Sequence, residues 1–268
     1  MKSKSNNRKI VEKPFLRGTP TDENTVRQSL KFFGILLLTA FMTFLVCSLT
    51  AFKEDVLRIL VCAVIELLVL VIFFDRGASL GMDAVARGEI LYQHIEKGQE
   101  VADSEKRIPF HSLKGYVIGL FGSLLFFILA VILAFTAERQ MTGAGVLPSW
   151  MDSYMRRPEI SGALVQYTQS ASVSFTDIIR ILVRILIMPF ISMVGAENRD
   201  LLLTVERISP ILVLLPAISY GSGYLRGPSR RTFIHSKIAE NRRKRISREK
   251  RERKARTARM PKGPEQLN

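Results

Sequence analysis

Residues 32–52, FFGILLLTAFMTFLVCSLTAF, contain no charged side chain. A helix needs about 20 mainly apolar residues to cross the hydrocarbon core of a bilayer. Two further runs have the same character, VLRILVCAVIELLVLVIFF at 56–74 and GYVIGLFGSLLFFILAVILAF at 115–135. A buried helix of a water-soluble protein would carry a polar face, which these three runs lack. The sequence therefore predicts three membrane spans.

Charge is distributed unevenly along the chain. The 268 residues include 39 Lys and Arg against 24 Asp and Glu, a net charge of +15, yet the mean hydropathy is positive at +0.16. Residues 1–31 carry 8 bases and 3 acids, residues 226–262 carry 16 bases and 3 acids, and residues 32–225 carry 15 bases and 17 acids. An apolar body between two basic segments excludes a single soluble domain. Two cysteines, both in apolar runs, exclude a disulfide framework.

A fourth span has two candidates, IIRILVRILIMPFISMV at 178–194 and ISPILVLLPAISYGSGY at 208–224. Both chain ends are basic, so the positive-inside bias places both in the cytoplasm and requires an even number of spans. Asp177, Arg180 and Arg184 share one face of the first candidate, and arginine is costly at the bilayer centre. We therefore expect 208–224 to cross and 178–194 to form an outer-side amphipathic or re-entrant helix. Five spans with an external C-terminal tail is the alternative.

The resulting fold class is an all-α, polytopic membrane protein with four spans. A basic cytoplasmic tail, 1–31, precedes a transmembrane domain, 32–225, and a polybasic cytoplasmic tail, 226–268, follows it. The spans are 32–52, 56–74, 115–135 and 208–224, with a tight outer turn at 53–55 and an outer region at 137–207. The cytoplasmic loop 75–114 is expected to hold an amphipathic surface helix, 80–97, interrupted at Gly88. The basic tail is expected to be helical over 241–259, because its composition favours a helix.

Polar residues recur at helical spacing in the first two spans. Thr43 and Cys47 lie four residues apart, as do Cys62 and Glu66, so each pair shares one helical face. With the turn near 54, Cys47 matches Cys62 in depth and Thr43 matches Glu66. We expect an intramembrane polar seam, with Glu66 about 15 Å deep at 1.5 Å per residue. An intramembrane carboxyl group suggests an ion or proton path; the alternative is a protonated side chain that donates a hydrogen bond to Thr43.

Small residues mark one end of the third and fourth spans. Gly115 and Gly119 form a G-x-x-x-G pair, and Gly221 and Gly223 lie at the matching end of the fourth span. Small residues allow membrane helices to approach closely. We expect these spans to cross closely there, or two protomers to meet.

The basic tail carries the strongest charge signal of the chain. Anionic lipid head groups attract such a cluster beside a span, and a nucleic acid, a ribosome or an acidic protein would satisfy it equally well in electrostatic terms. The residues expected to contact the anionic partner are Arg242, Arg243, Lys244, Arg245, Arg248, Lys250 and Arg251.

Catalytic motifs do not emerge from the sequence. Its three histidines, His94, His111 and His235, are far apart, and no Walker A loop, G-x-S-x-G elbow or C-x-x-C pair is present. We expect a non-catalytic protein of the cell membrane without cofactor or metal, acting as an accessory, assembly or regulatory subunit. It would partner another membrane protein or a second copy of itself. The alternatives are a small transporter or channel component using Glu66, and a ribosome or RNA tether.

Overall fold

The computed structural model describes residues 13–49, 54–138, 153–154, 157, 159, 175–195 and 198–259. All regular secondary structure in these residues is helical. The helices that they define from end to end are α1 (Glu23–Leu49), α2 (Asp55–Glu96), α3 (Asp103–Arg107), α4 (Lys114–Thr136), α5 (Phe175–Leu186), α6 (Met188–Val194), α7 (Arg199–Leu225) and α8 (Gly227–Arg259).

Four of these helices, α1, α2, α4 and α7, are long and apolar enough to cross a membrane. They contain the four spans predicted from the sequence, and within the described residues the segment 178–194 is not a fifth. Helices α1 and α7 both begin earlier than predicted, at Glu23 and Arg199. Much of the outer region 137–207, and most of the turn at 53–55, lie outside the described residues.

Helix α7 is the centre of the bundle. It packs extensively against α2 and α4, and α1 packs on the far side of α4. The main core is apolar and includes Phe32, Ile118, Leu133 and Val213, each almost fully buried. Large apolar side chains also point outward, as Leu38 and Leu67 do at about 60% exposure. An apolar exterior around an apolar core is the arrangement that a bilayer requires, since lipid replaces water as the solvent.

The two ends of the bundle differ in what covers them. We call the end that holds Leu49 and Asp55 the hairpin end, and the end that holds Glu23, Lys114 and Leu225 the tail end. Helices α5 and α6 pack at the hairpin end. Segment 13–22 and helix α8 both pack at the tail end.

Helix α2 is one continuous helix of 42 residues, about 63 Å long at 1.5 Å per residue. The expected separation into a span and a surface helix interrupted at Gly88 is wrong. Glycine lowers helix propensity, but here it allows a close approach, because a Cβ at Gly88 would collide with the backbone oxygen of Leu16. Residues 75–96 therefore extend the span as a rod beyond its apolar part.

A small second core lies at the tail end. The ring of Phe110 stacks on Tyr224 with 5.2 Å between centroids, and Phe15 meets Phe110 edge-on. Leu16 donates its backbone N–H to the Gly88 carbonyl and Gly18 donates to that of Phe110. Residues 13–22 of the expected basic tail are therefore packed on the bundle.

The start of α1 is fixed at the same end by Asp22. Its Oδ1 accepts a hydrogen bond of 2.6 Å from the Thr25 hydroxyl, while its own N–H donates to that hydroxyl. This reciprocal pair satisfies groups that a helix N-terminus leaves open. Asp22 also forms a buried ion pair of 2.7 Å with Lys114, which ties α1 to α4.

Helices α5 and α6 form a bent pair that begins and ends at the hairpin end. Arg180 of α5 donates to the backbone oxygen of Glu138, just beyond the end of α4, and Gly195 after α6 lies against Arg58 near the start of α2. Between them the chain bends at Ile187, where Pro189 begins the new helix. Ile187 is buried and lines the same cavity as Glu66. The pair therefore reaches from the hairpin end to the level of Glu66 and back.

Candidate functional site

Glu66 lines a small cavity within the bundle. The cavity volume is about 20 Å³, which is enough for one water molecule. Helices α1, α2 and α7 and the bend of the α5–α6 pair enclose it, with Leu36, Thr39, Ala40, Thr43, Glu66, Val69, Leu186, Ile187, Phe190, Leu212, Val213 and Pro216 in its wall.

The two threonines of this wall have used their hydroxyl hydrogens. Thr43 donates to the backbone oxygen of Ala40 at 2.9 Å, and Thr39 donates to that of Ile35 at 2.9 Å. Each hydroxyl therefore presents acceptor lone pairs to the cavity, because a hydroxyl has one donor hydrogen. The structure thus brings Glu66 and Thr43 to one cavity, where any hydrogen bond to the threonines must come from a donor such as water or a protonated carboxyl group.

Cys47 and Cys62 meet nearer the hairpin end. Both are buried and carry free thiols, and the Cys47 side chain is within hydrogen-bonding reach of Cys62 and of Ser192 on α6. Helices α1 and α2 otherwise have little direct contact, whereas α6 packs against both. The sequence reasoning treated the seam as a two-helix contact and missed α6 as its third wall.

A buried ionic cluster joins α5 to α7. Arg184 donates through Nε to Glu206 Oε1 at 2.8 Å, and Arg180 Nε lies 3.1 Å from the same oxygen. Arg180 also pairs with Asp177 at 3.3 Å. The side chain of Glu206 is 1% exposed and that of Arg180 is 4% exposed. Two cations and two carboxylates compensate one another, which is the condition for burying charge.

Glu206 is the functional partner that the sequence analysis missed. It precedes the predicted fourth span and appeared to be a flanking residue. The signal that could have identified it is the Asp177, Arg180, Arg184 face of α5, whose two arginines outnumber its one acid and need a second carboxylate. The face expected to meet the membrane surface is instead largely buried against α7.

Arg58 contributes to the hairpin end. It pairs with Asp55 at 2.7 Å and is about one-quarter exposed. Its guanidinium group lies against Gly195, which has φ of +77°. A Cβ at Gly195 would lie 2.7 Å from Arg58 Nη2, so both the backbone conformation and the space favour glycine there.

The four glycines of the third and fourth spans do not all serve one contact. Gly115 lies against the Tyr224 ring and Gly119 against Ala217, and Gly221 lies against Tyr116, so these three are at the α4–α7 contact. Gly223 instead faces α2 at the backbone of Phe74. Helix α7 therefore uses small residues on two faces, toward α4 and toward α2.

Helix α8 is attached to α2 at its base and exposed beyond it. Arg230 pairs with Asp75 at 2.6 Å, and Glu89 accepts from Arg231 at 3.2 Å and lies 3.3 Å from His235. From Ser236 to Arg253 every side chain is exposed. This stretch contains all seven bases expected to contact an anionic partner. Two of these have intrahelical partners, Lys244 with Glu240 at 2.8 Å and Arg245 with Glu249 at 3.3 Å.

Metal-binding side chains are not grouped in the part of the chain that the structure describes. No set of three His, Cys, Asp or Glu side chains there is arranged to hold an ion. The three histidines stay apart; His235 packs on Glu89, and His111 uses Nδ1 to accept from the N–H of Leu113 at 3.3 Å.

These features define the class of a multi-pass helical membrane protein. Comparison of the chain with protein families, with curated protein sequences and with solved structures gives no match.

Proposed function

We propose that this protein is a non-catalytic membrane adaptor whose helical bundle holds α8 as a basic arm that recruits an anionic partner. The observation that carries the proposal is the division of α8 into an attached base and an exposed remainder. Residues 227–235 pack on α2, and residues 242–251 present seven bases and one acid to the surroundings. Membrane insertion alone needs only a few bases beside a span, so this excess has another use.

The tail end lies in the cytoplasm in this proposal. Residues 1–31 have a net charge of 8 − 3 = +5, and residues 226–262 have 16 − 3 = +13. Both segments belong to the tail end, and basic segments beside spans are retained on the cytoplasmic side. Helices α5 and α6 then form an outer-side, re-entrant pair, tolerated at that depth because the bundle buries it.

The Glu66 cavity supports an accessory role better than transport. Its volume holds one water molecule, and the bend of the α5–α6 pair closes it toward the hairpin end with Leu186, Ile187 and Phe190. A hydrogen bond through that water would join Glu66 to the threonines of α1. Glu66 then fixes the register of α1 and α2, which have little direct contact.

Binding of a generic polyanion tests the adaptor proposal. The full-length protein is placed in phosphatidylcholine nanodiscs, which leave both membrane faces accessible, and titrated with labelled inorganic polyphosphate. We expect binding that weakens at least about tenfold when the seven bases of 242–251 are changed to Gln, because each removes a phosphate contact.

The matched control exchanges charges without changing their sum. Arg245→Glu combined with Glu249→Arg keeps the net charge of α8 and the i, i+4 pair seen at 3.3 Å. This variant should bind polyphosphate like the unmodified protein. Equal binding by the seven-Gln variant would overturn the adaptor proposal.

A further inference from the structure

From the direction and charge of α8 we infer that its anionic partner is a nucleic acid, held through its phosphodiester backbone. This inference rests on the proposed function and names the partner of that same arm. Four steps lead to it: the direction of α8, its distance from the bilayer, the distribution of its bases, and its lack of apolar side chains.

Helix α8 runs parallel to α2 and away from the bundle. Gly227 lies against Gly81, and His235 lies 3.3 Å from Glu89. Both helices thus advance by eight residues between the two contacts, 89 − 81 on α2 and 235 − 227 on α8. Arg230 reaches back to Asp75, as expected when side chains point toward the N-terminus of their helix. Helix α8 therefore continues in the direction in which α2 leaves the membrane.

The exposed bases lie beyond the electrostatic reach of the bilayer. Gly81 is about 10 Å past Phe74, where the apolar run of α2 ends, and Arg242 is about 22 Å past Gly227, at 1.5 Å per residue. Arg242 therefore lies roughly 30 Å from the hydrocarbon boundary. Head groups occupy about 5–8 Å of this distance, and the Debye length at physiological ionic strength is about 8 Å. Lipid phosphates at about 15 Å or less do not meet this arm, whereas a phosphate polymer in the aqueous phase does.

The bases surround the helix. At about 100° per residue, the seven bases of 242–251 leave no arc wider than about 80° without one. A flat lipid surface would contact one side of such a helix. A folded or double-stranded nucleic acid presents phosphates on several sides of a groove, so it can use the whole circumference.

Few apolar side chains are available to bind a protein partner. Between Asn241 and Arg253 the only large one is Ile246, which is 43% exposed. Protein interfaces depend on a central cluster of apolar and aromatic anchors, and this stretch of α8 has none. It also contains no aromatic residue to stack on bases. Contacts to phosphate alone predict binding without sequence preference.

Fluorescence anisotropy with the full-length protein in phosphatidylcholine nanodiscs tests the inference. The probes are a labelled short RNA duplex, a DNA duplex of the same length, and polyglutamate of the same charge. We expect both duplexes to bind at least about tenfold more tightly than polyglutamate, and the better of the two identifies the nucleic acid. With seven phosphates neutralised, affinity should fall about 10³- to 10⁴-fold between 50 and 200 mM salt. The seven-Gln variant should abolish this salt dependence, and the Arg245–Glu249 exchange should retain it.

Two outcomes would overturn the inference while leaving the adaptor proposal intact. In one, polyphosphate binding depends on α8 but polyglutamate binds as tightly as either duplex, which indicates an acidic protein partner. In the other, phosphatidylglycerol in the nanodisc lowers duplex affinity by about tenfold or more, although an arm beyond the screening length should be nearly insensitive to disc charge. That result would place α8 on the lipid. Polyphosphate binding that is independent of α8 would overturn both proposals.

Discussion

Arginine side chains occur at both ends of the bundle in opposite environments. At the hairpin end, Arg180 and Arg184 share the buried carboxylate of Glu206. At the tail end, the bases of α8 are exposed, and Arg245 is 83% exposed even though Glu249 lies 3.3 Å away. The same residue type therefore stabilises the bundle at one end and remains available to a ligand at the other. Burial of the partner carboxylate, more than the number of ion pairs, separates the two uses.

Removal of Glu206 should have the largest effect on stability. Glu206→Gln leaves Arg180 and Arg184 without their shared carboxylate, and breaking a buried pair typically costs about 3–5 kcal/mol. We expect a loss of this size in the free energy of unfolding, measured by denaturant titration in detergent micelles. The neighbouring exposed residue provides the control, since Arg207→Gln should change stability by less than about 0.5 kcal/mol. A loss under about 1 kcal/mol for Glu206→Gln would show that water already compensates the two arginines.

The Asp22–Lys114 pair should have an intermediate effect. Its side chains are 3% and 7% exposed, but Asp22 keeps its hydrogen bond with Thr25 when Lys114 is replaced. We expect Lys114→Met to lower the unfolding free energy by about 2–3 kcal/mol, below the loss for Glu206→Gln. A double-mutant cycle with Asp22→Asn should give a coupling of about 1–3 kcal/mol. Additive losses would mean that the two residues act independently.

Changes within α8 should have the smallest effect on stability. Arg245→Gln removes an exposed i, i+4 pair, which is worth about 0.3–0.5 kcal/mol. The unfolding midpoint should stay almost unchanged in the titration used for Glu206→Gln. A loss above about 1 kcal/mol would place Arg245 in a contact with the bundle and contradict the contrast between the two ends.

The spans could be predicted because their signal is local. A run of about 20 apolar residues defines a membrane helix without knowledge of its neighbours, and the periodicity of Asp177, Arg180 and Arg184 identifies one face of α5. The partner of that face could not be found in the same way. Glu206 lies more than 20 residues away, and only the packing of α5 on α7 brings them together.

The length of α2 and the start of α8 show where local rules failed. Gly88 was interpreted as an interruption, yet the contact with Leu16 requires the small residue within a continuous helix. The basic helix was expected from 241 but begins at Gly227. Pro228 is a signal for that start, because proline favours the first turn of a helix. For the polar seam, the depth match of Thr43 and Glu66 could be calculated from the turn, but the wall supplied by α6 depends on tertiary packing.

The continuity of α2 makes it a lever between two chemically different compartments. Glu66 and Glu89 belong to the same uninterrupted rod, 23 residues and about 35 Å apart. One touches the cavity inside the bundle and the other holds the base of α8. Because a helix without a hinge transmits rotation about its axis, a turn of α2 at Glu66 moves the foothold of the basic arm by the same angle. Reorientation of the arm is thus mechanically tied to the packing around a single buried carboxyl group.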